Sequence, residues 1–205
     1  LNRAKSQTLT YELDTTVWAA ASSPTSTQDS STKVWIVSTR QATDTACDTI
    51  RELTKDNPVY ILDLEWDTEK NQEGRTIGNP GKVALLQIGY QLEGGIRVLM
   101  VQLRKVWSPN KTKKLSGLLS SFLACSGEAF VGCCIGADLT KLGKDFGMEQ
   151  WAKLIPVVEI GMFARQRDVV QDARVRLEHL VDVVLNEKLD KSDEVRCSKW
   201  SIPKL

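Results

Sequence analysis

The sequence predicts an α/β fold, and three observations carry the prediction. Three apolar segments follow one another as a meander, an amphipathic helical pattern comes next, and a short apolar strand then runs into a further helix. A meander followed by helix-strand-helix lets helices cover a sheet.

Taken in order, residues 1–32 are rich in Ser and Thr, above all from Ser22 to Thr32, and carry too few patterned apolar residues to pack, so a disordered tail is expected there. Residues 33–205 form the expected folded domain. Val34-Trp35-Ile36-Val37 has strand composition, and Ala46, Ile50 and Leu53 fall at helical spacing from Thr43 to Leu53, ended by Asn57-Pro58. Val59-Tyr60-Ile61-Leu62 reads as a buried strand closing on Trp66. Asp67 to Pro80 is polar, contains Gly74, Gly78 and Pro80, and predicts a long loop of the kind that often serves a site. Val83 to Tyr90 and Ile96 to Val101, joined through Gly94-Gly95, read as a hairpin that extends the Val59 strand. Leu115, Leu118, Leu119, Phe122 and Leu123 mark an amphipathic helix. Ala129 to Cys133 is the next strand, with a helix expected from about Asp138 to Phe146. Ile155 to Val158 predicts a last strand, and Ala173, Leu177, Leu180, Val181 and Val184 predict a helix over Asp168 to Leu185.

Composition narrows the functional classes. With 205 residues, 41% of them hydrophobic, the chain can bury one substantial core, and one domain is expected. A formal net charge of +1 provides no global field to attract a polyanion, so such a partner has to be held by local patches or metal. Five cysteines without a CxxC pair and a single histidine exclude a zinc-finger ligand set and favour a reducing intracellular setting, nuclear or cytoplasmic. No segment approaches the ~20 apolar residues of a bilayer crossing, so no membrane partner is expected.

The chemistry concentrates in three acids. Asp63 and Glu65 lie two residues apart on one strand, so both leave by the same face with α-carbons about 6.7 Å apart. Ionised carboxylates at a strand end need cations, donors or solvent. A solvated strand end and a metal-gripping pair both fit that spacing. Asp138 follows the strand ending in Cys133-Cys134-Ile135-Gly136 and sits at a helix start. Asp is a preferred N-cap, yet strand-to-helix junctions in α/β sheets are also where sites form, so capping and metal binding both fit.

The runs VYILDLEW, GKVALLQIGY and FVGCCIGADLTKLGKDFG together resemble the first two motifs of the DEDD 3′-5′ exonuclease superfamily, in its Werner-type and RNase D-like branch. LEHLVDVVLNEKLDKSDEVRCSKW is similar to the stretch ahead of that branch's third motif, and the resemblance runs from about Lys33 to Leu205. It implies an RNase H-like fold: a mixed sheet flanked by helices, its first strand carrying Asp63 and Glu65. It implies that Asp63, Glu65 and Asp138 match three of the family's four metal-binding acids, with two Mg²⁺ or Mn²⁺ ions as cofactors. Phosphodiester hydrolysis drives hydroxide into an anionic phosphorus centre, and two ions about 3.5–4 Å apart neutralise the attacking and leaving oxygens. By resemblance Asp63 would touch both ions, Glu65 one, and Asp138 the outer ion, directly or through water. The expected partner is a nucleic acid with a single-stranded 3′ end, DNA or RNA. Trp66 and Leu86 are the candidates for holding its terminal base, since stacking tolerates every base; an ordinary core position also fits Leu86.

The sequence departs from the family at its third motif, a Tyr or His that orients water and a fourth acid in Y-x-x-x-D or H-x-x-x-x-D spacing. Neither spacing occurs: Tyr11, Tyr60 and Tyr90 lack an Asp four residues on, and His179 is followed five residues later by Val184. The fold is therefore expected to be C-terminally incomplete, lacking that motif, and a first residue of Leu rather than Met fits a fragment or processed product. A 3′-5′ exonuclease nearly inactive over these residues alone is the expectation, with a non-catalytic RNase H-like module binding nucleic acid or protein as the alternative. Arg104, Lys105, Lys111, Lys113 and Lys114 around Trp107 form a basic cluster that fits either phosphate contact or a solvated helix entry. Asp145-Phe146-Gly147 matches the kinase triplet without its companions, and Gly147 is read as a helix end.

Overall fold

The structure, a computed structural model, describes residues 10–12, 33–70, 76–77, 80–93, 95–103, 114–125, 127–153 and 155–189. Its strands are β1 (Thr10–Glu12), β2 (Lys33–Val37), β3 (Val59–Trp66), β4 (Glu69–Lys70), β5 (Thr76–Ile77), β6 (Val83–Leu92), β7 (Gly95–Gln102), β8 (Ala129–Gly132) and β9 (Val157–Glu159). Its helices are α1 (Arg40–Leu53), α2 (Gly117–Leu123), α3 (Ile135–Phe146), α4 (Glu149–Ala152), α5 (Ile160–Gln166) and α6 (Leu177–Leu185). Seven strands form one sheet in the order β1-β2-β7-β6-β3-β8-β9, and β4 pairs with β5 apart from it. β3-β6-β7 is the antiparallel meander, whereas β8 and β9 add in parallel on one side and β2 and β1 on the other. Only β6 runs against the rest of this sheet, so the sheet is mixed, as expected for an RNase H-like fold.

β3 sits inside the sheet because its residues can serve two partners. Tyr60, Leu62 and Leu64 face one way and meet Tyr90, Ile88 and Leu86 across the β6 ladder, while Leu99, Val101, Trp35 and Val37 continue the same face on β7 and β2. All belong to one buried cluster that also takes in Ala46, Cys47 and Ile50 of α1, Leu119, Phe122 and Leu123 of α2, and Leu139, Leu142 and Phe146 of α3. Each fully buried large side chain here contributes about 1.5–3 kcal/mol. Tyr60, Phe122 and Phe130 form an aromatic group with centroids 4.9 to 6.1 Å apart, tying β3, α2 and β8 together. The Arg51 guanidinium fastens α1 to the same region, with Nε donating to Glu128 Oε1 at 3.0 Å and Nη2 to the Ser121 carbonyl at 2.6 Å. On the opposite face Val59 and Ile61 are exposed, followed along the strand by Asp63 and Glu65.

Several boundaries differ from the sequence expectations. Within the expected tail, Thr10–Glu12 pairs in parallel with Lys33–Trp35; the rest of residues 1–32 lies outside the described residues. The long loop carries the β4-β5 pair. α1 starts three residues early because Thr39 caps it, its hydroxyl accepting from Ala42 N at 3.2 Å. The helix expected over Asp168–Leu185 forms only from Leu177, and α5 stands before it where the sequence suggested none. α5 and α6 share a small second core of Ala164, Val170 and Leu180, supported by Ile160 and Val175. A short helix with few apolar residues leaves too weak a period to read, and packing against a neighbouring segment supplies what propensity does not.

Gly132, at the end of β8, fixes how closely the α3 junction lies against β3. A Cβ there would stand 2.8 Å from the Leu62 carbonyl oxygen and 3.0 Å from Ile135 Cβ, whereas one on Gly136 would meet nothing within 4 Å. Gly132→Ala is expected to lower stability by about 1–3 kcal/mol through forced backbone movement, and Gly136→Ala to leave it unchanged or raise it by about 0.5–1 kcal/mol. Urea midpoints of the two variants check this; equal midpoints would show that β8 yields freely.

Candidate active site

The acids collect where the parallel strands end. β3, β8 and β9 run the same way, so their C-terminal ends share one edge of the sheet, the edge at which α/β folds place their ligands. Asp63 and Glu65 close β3 on one face, Asp63 exposed and Glu65 half-buried. Gln87 stands opposite Asp63 on β6, its Nε2 3.5 Å from Asp63 Oδ2, a length at which a hydrogen bond is weak. The β3-β6 register shifts between Glu65 and Trp66, so the ladder becomes irregular at the acids.

Asp138 reaches this edge on α3, which starts immediately after β8. The capping role open to Asp138 from the sequence is corrected: Cys134 is the N-cap, and Asp138 lies inside the first turn, its N–H donating to the Cys134 carbonyl at 3.3 Å. Its side chain is buried, 9% exposed. Burial, then the negative charges of Asp63, Glu65 and Glu159, push its carboxyl up from 3.8 to about 7. Coulomb repulsion of that kind fades quickly with distance and solvent, so the carboxylates of β3, α3 and β9 share one neighbourhood. The structure thus places the three acids singled out from the sequence at one edge of the sheet, near enough for the charges of Asp63, Glu65 and Glu159 to act on Asp138 but not as a preset ligand set.

Glu159 went unnoticed in the sequence because it ends a strand of only three residues. Its signal was its place, the C-terminal end of an apolar run, as for Asp63. Cys134 is exposed with a left-handed backbone at φ 62°, and Cys133 is half-buried.

Among the described residues, no group of three His, Cys, Asp or Glu side chains forms a ready-made metal chelate. The donors are all carboxylate oxygens, one of them buried and repelled by its neighbours, which is the chemistry a hard divalent cation answers. Asp63, Glu65 and Asp138 therefore match such ions in donor type, without preset ligand distances.

The two candidates for base contact separate. Leu86 is fully buried on the core side, opposite Leu64, and has no surface to offer a base; the core alternative is the correct one. Trp66 is half-buried beside Glu65, and Lys141 Nζ lies 5.1 Å from its ring centroid. Lys141 also donates to the Gly81 carbonyl at 2.7 Å and to Asp145 Oδ2 at 3.0 Å, and the same carboxylate oxygen accepts from Val83 N at 2.8 Å. Asp145 of the kinase-like triplet is thus a clamp between α3 and the entry to β6, and Gly147 ends α3 at φ 69° as expected. His179 is exposed on α6. Arg104, Lys105, Trp107, Lys111 and Lys113 lie outside the described residues; Lys114 is exposed. No helix among the described residues is long and apolar enough to cross a membrane.

No family model matches the sequence, and no curated protein does. Solved structures do match. The crystal structure of the EXD2 exonuclease domain is 27% identical, with a TM-score of 0.51, covering 84% of this chain and 76% of that one. The same domain soaked in Mn is 28% identical, with a TM-score of 0.51 over 84% and 77% of the two chains. Escherichia coli RNase D, an exoribonuclease involved in structured RNA processing, shares the fold at a TM-score of 0.58 and 18% identity, over 83% of this chain and 37% of that one. With its mixed sheet and its likeness to these solved exonuclease domains, the chain has an RNase H-like fold and resembles the DEDD superfamily of 3′-5′ exonucleases.

Proposed function

We propose that the acid cluster is a two-metal-ion centre that hydrolyses nucleic-acid phosphodiester bonds from the 3′ end. The observation that carries this reading is the convergence of Asp63, Glu65 and buried Asp138 at one sheet edge, where their mutual repulsion calls for a cation. Solved EXD2 exonuclease domains soaked in Mn, or in Mg and dGMP, support a divalent ion. Bound there, two Mg²⁺ or Mn²⁺ ions would supply an activated water and neutralise the departing 3′ oxygen.

The chain's own residues do the rest. Asp63 and Glu65 offer oxygens from a strand that stays paired with β6 through both positions, which keeps them fixed as charge builds on the phosphate. Asp138 adds a third from a helix laid against that strand. Trp66, next to Glu65, offers a ring face to the terminal base, and its packing against the core and Lys141 limits its movement. Stacking of this kind is indifferent to base identity, which suits stepwise removal of any nucleotide.

One sequence observation favours a second reading, a non-catalytic module: no Y-x-x-x-D or H-x-x-x-x-D spacing occurs in the chain. Without a residue to orient water, cleavage by these residues alone is expected to be slower by about 10²–10⁴-fold than in a complete centre.

Three outcomes test these statements. Mn²⁺ at about 100 times its dissociation constant is expected to stabilise the folded chain by roughly 2.7 kcal/mol, with most of that gain lost in Asp63→Asn; melting curves indifferent to Mn²⁺ in both proteins would favour the module. A 5′-labelled single strand with Mn²⁺ is expected to shorten slowly from its 3′ end, and not at all with Asp63→Asn; internal nicking, or shortening unaffected by the substitution, would overturn the exonuclease reading. Asp138 carries a raised pKa in the folded chain, so the stability it contributes while protonated is complete below about 3.8 and is lost as pH rises toward about 7. Metal-free Asp138→Asn is therefore expected to exceed the wild type in stability by about 1–3 kcal/mol near pH 8, and by less near pH 5. An equal difference at both would show that Asp138 is not repelled.

A further inference from the structure

The start of α3 poses a problem that its own sequence does not solve. Cys134, the N-cap, has a left-handed backbone at φ 62° and ψ 24° and makes no side-chain capping bond, leaving the first amides of a 12-residue helix to find acceptors elsewhere. A non-glycine residue in that conformation costs about 1 kcal/mol or more and persists only when its surroundings hold it.

The acceptor comes from a different strand. Glu159 ends β9, in register with Gly132 of β8, and its carboxylate spans the turn: Oε1 accepts from Cys134 N at 2.8 Å and Oε2 from Ile135 N at 3.1 Å. Both oxygens are engaged by consecutive amides, and the negative charge sits at the positive end of the helix. The turn so held is the one whose carbonyl, on Cys134, receives the N–H of Asp138. Behind it, the close packing of Gly132 on the Leu62 carbonyl leaves the junction no room to slide along β3. The path from Glu159 to the acid cluster is thus one fixed turn long.

We propose that Glu159 is a positioning residue of the acid cluster: by clamping the Cys134-Ile135 amides it sets the first turn of α3, and so presents Asp138 to Asp63 and Glu65. Glu159 acts through Asp138 and not by holding the ion or substrate itself. The inference rests on the metal-centre reading proposed above. Glu159→Ala removes both acceptors, whereas Glu159→Gln keeps one acceptor oxygen and removes the charge.

The test is a double-mutant cycle read by Mn²⁺ affinity, from calorimetry or from the electron-paramagnetic signal of free Mn²⁺, on the full chain. Glu159→Ala is expected to weaken Mn²⁺ binding by about 10-fold or more, the usual scale for groups that orient ligands, and Glu159→Gln by less. In an Asp138→Asn background the same Glu159 substitutions are expected to change affinity by under about 2-fold, because nothing remains to be positioned. If Glu159→Ala does not fold, the Gln variant completes the cycle. Losses equal in both backgrounds would overturn positioning and leave Glu159 as a helix cap only; so would an unchanged affinity in Glu159→Gln and Glu159→Ala alike. Failure of the wild type to bind Mn²⁺ at all would instead overturn the metal centre itself, and this inference with it.

Discussion

The constraint that shapes this molecule is the crowding of carboxylates at one end of a sheet. Asp138 is buried while facing the charges of Asp63, Glu65 and Glu159, and burial together with that repulsion lifts its carboxyl to about 7. Keeping it ionised there opposes folding by a few kcal/mol, a large share of the 5–15 kcal/mol by which a domain of ordinary stability is folded. Everything around the acids resists their separation. β3 is held by ladders on both sides, its inner face is locked into the main core, and α3 is tied down at both ends, by Glu159 at its start and by Lys141 and Asp145 further along.

The division of labour between the two faces of β3 follows from alternation alone. Tyr60, Leu62 and Leu64 bind the strand to the core, which frees the intervening positions to carry charge. Two residues C-terminal to Glu65, Asp67 accepts the Gly81 amide at 2.9 Å, so the long loop returns to the sheet beside the acids. Lys141, bound to Gly81 and lying against Trp66, joins that return to the helix carrying Asp138. The polar clamp and the apolar core therefore converge on the same few backbone positions from opposite sides.

How much of this could be read in the sequence depended on the length over which each signal repeats. The meander was legible because β6 and β7 are long, apolar and separated by a tight turn, and the acid pair because a two-residue spacing on a strand has only one outcome. Leu86 sits in a motif the family resemblance highlighted, yet alternation against Leu64 sends it to the core; the register that decides this is a pairing between strands, which no single segment states. Asp138 could be read as a cap or a ligand because the helix start was placed too late, and the cause is the left-handed Cys134, a conformation that non-glycine residues do not announce. Glu159 was invisible for a similar reason: its partners are amides of another segment, and its own strand is too short to show a period. α5 emerged only with its packing partners in place.

The topology of β3 has one more effect. Its pairing with β6 spans a single loop, whereas its pairing with β8 closes only after the meander and α2 have been made, a costlier loop to shut. The molecule is thereby divided into a hairpin-based half bearing Asp63 and Glu65, joined by shorter-range pairings, and a longer-range half bearing Asp138 and Glu159. Local opening along that seam would part the acids while the hairpins stay intact, so amide exchange in β8 and α3 reports on the cluster directly, and anything gripped by both halves acts as a staple across the seam.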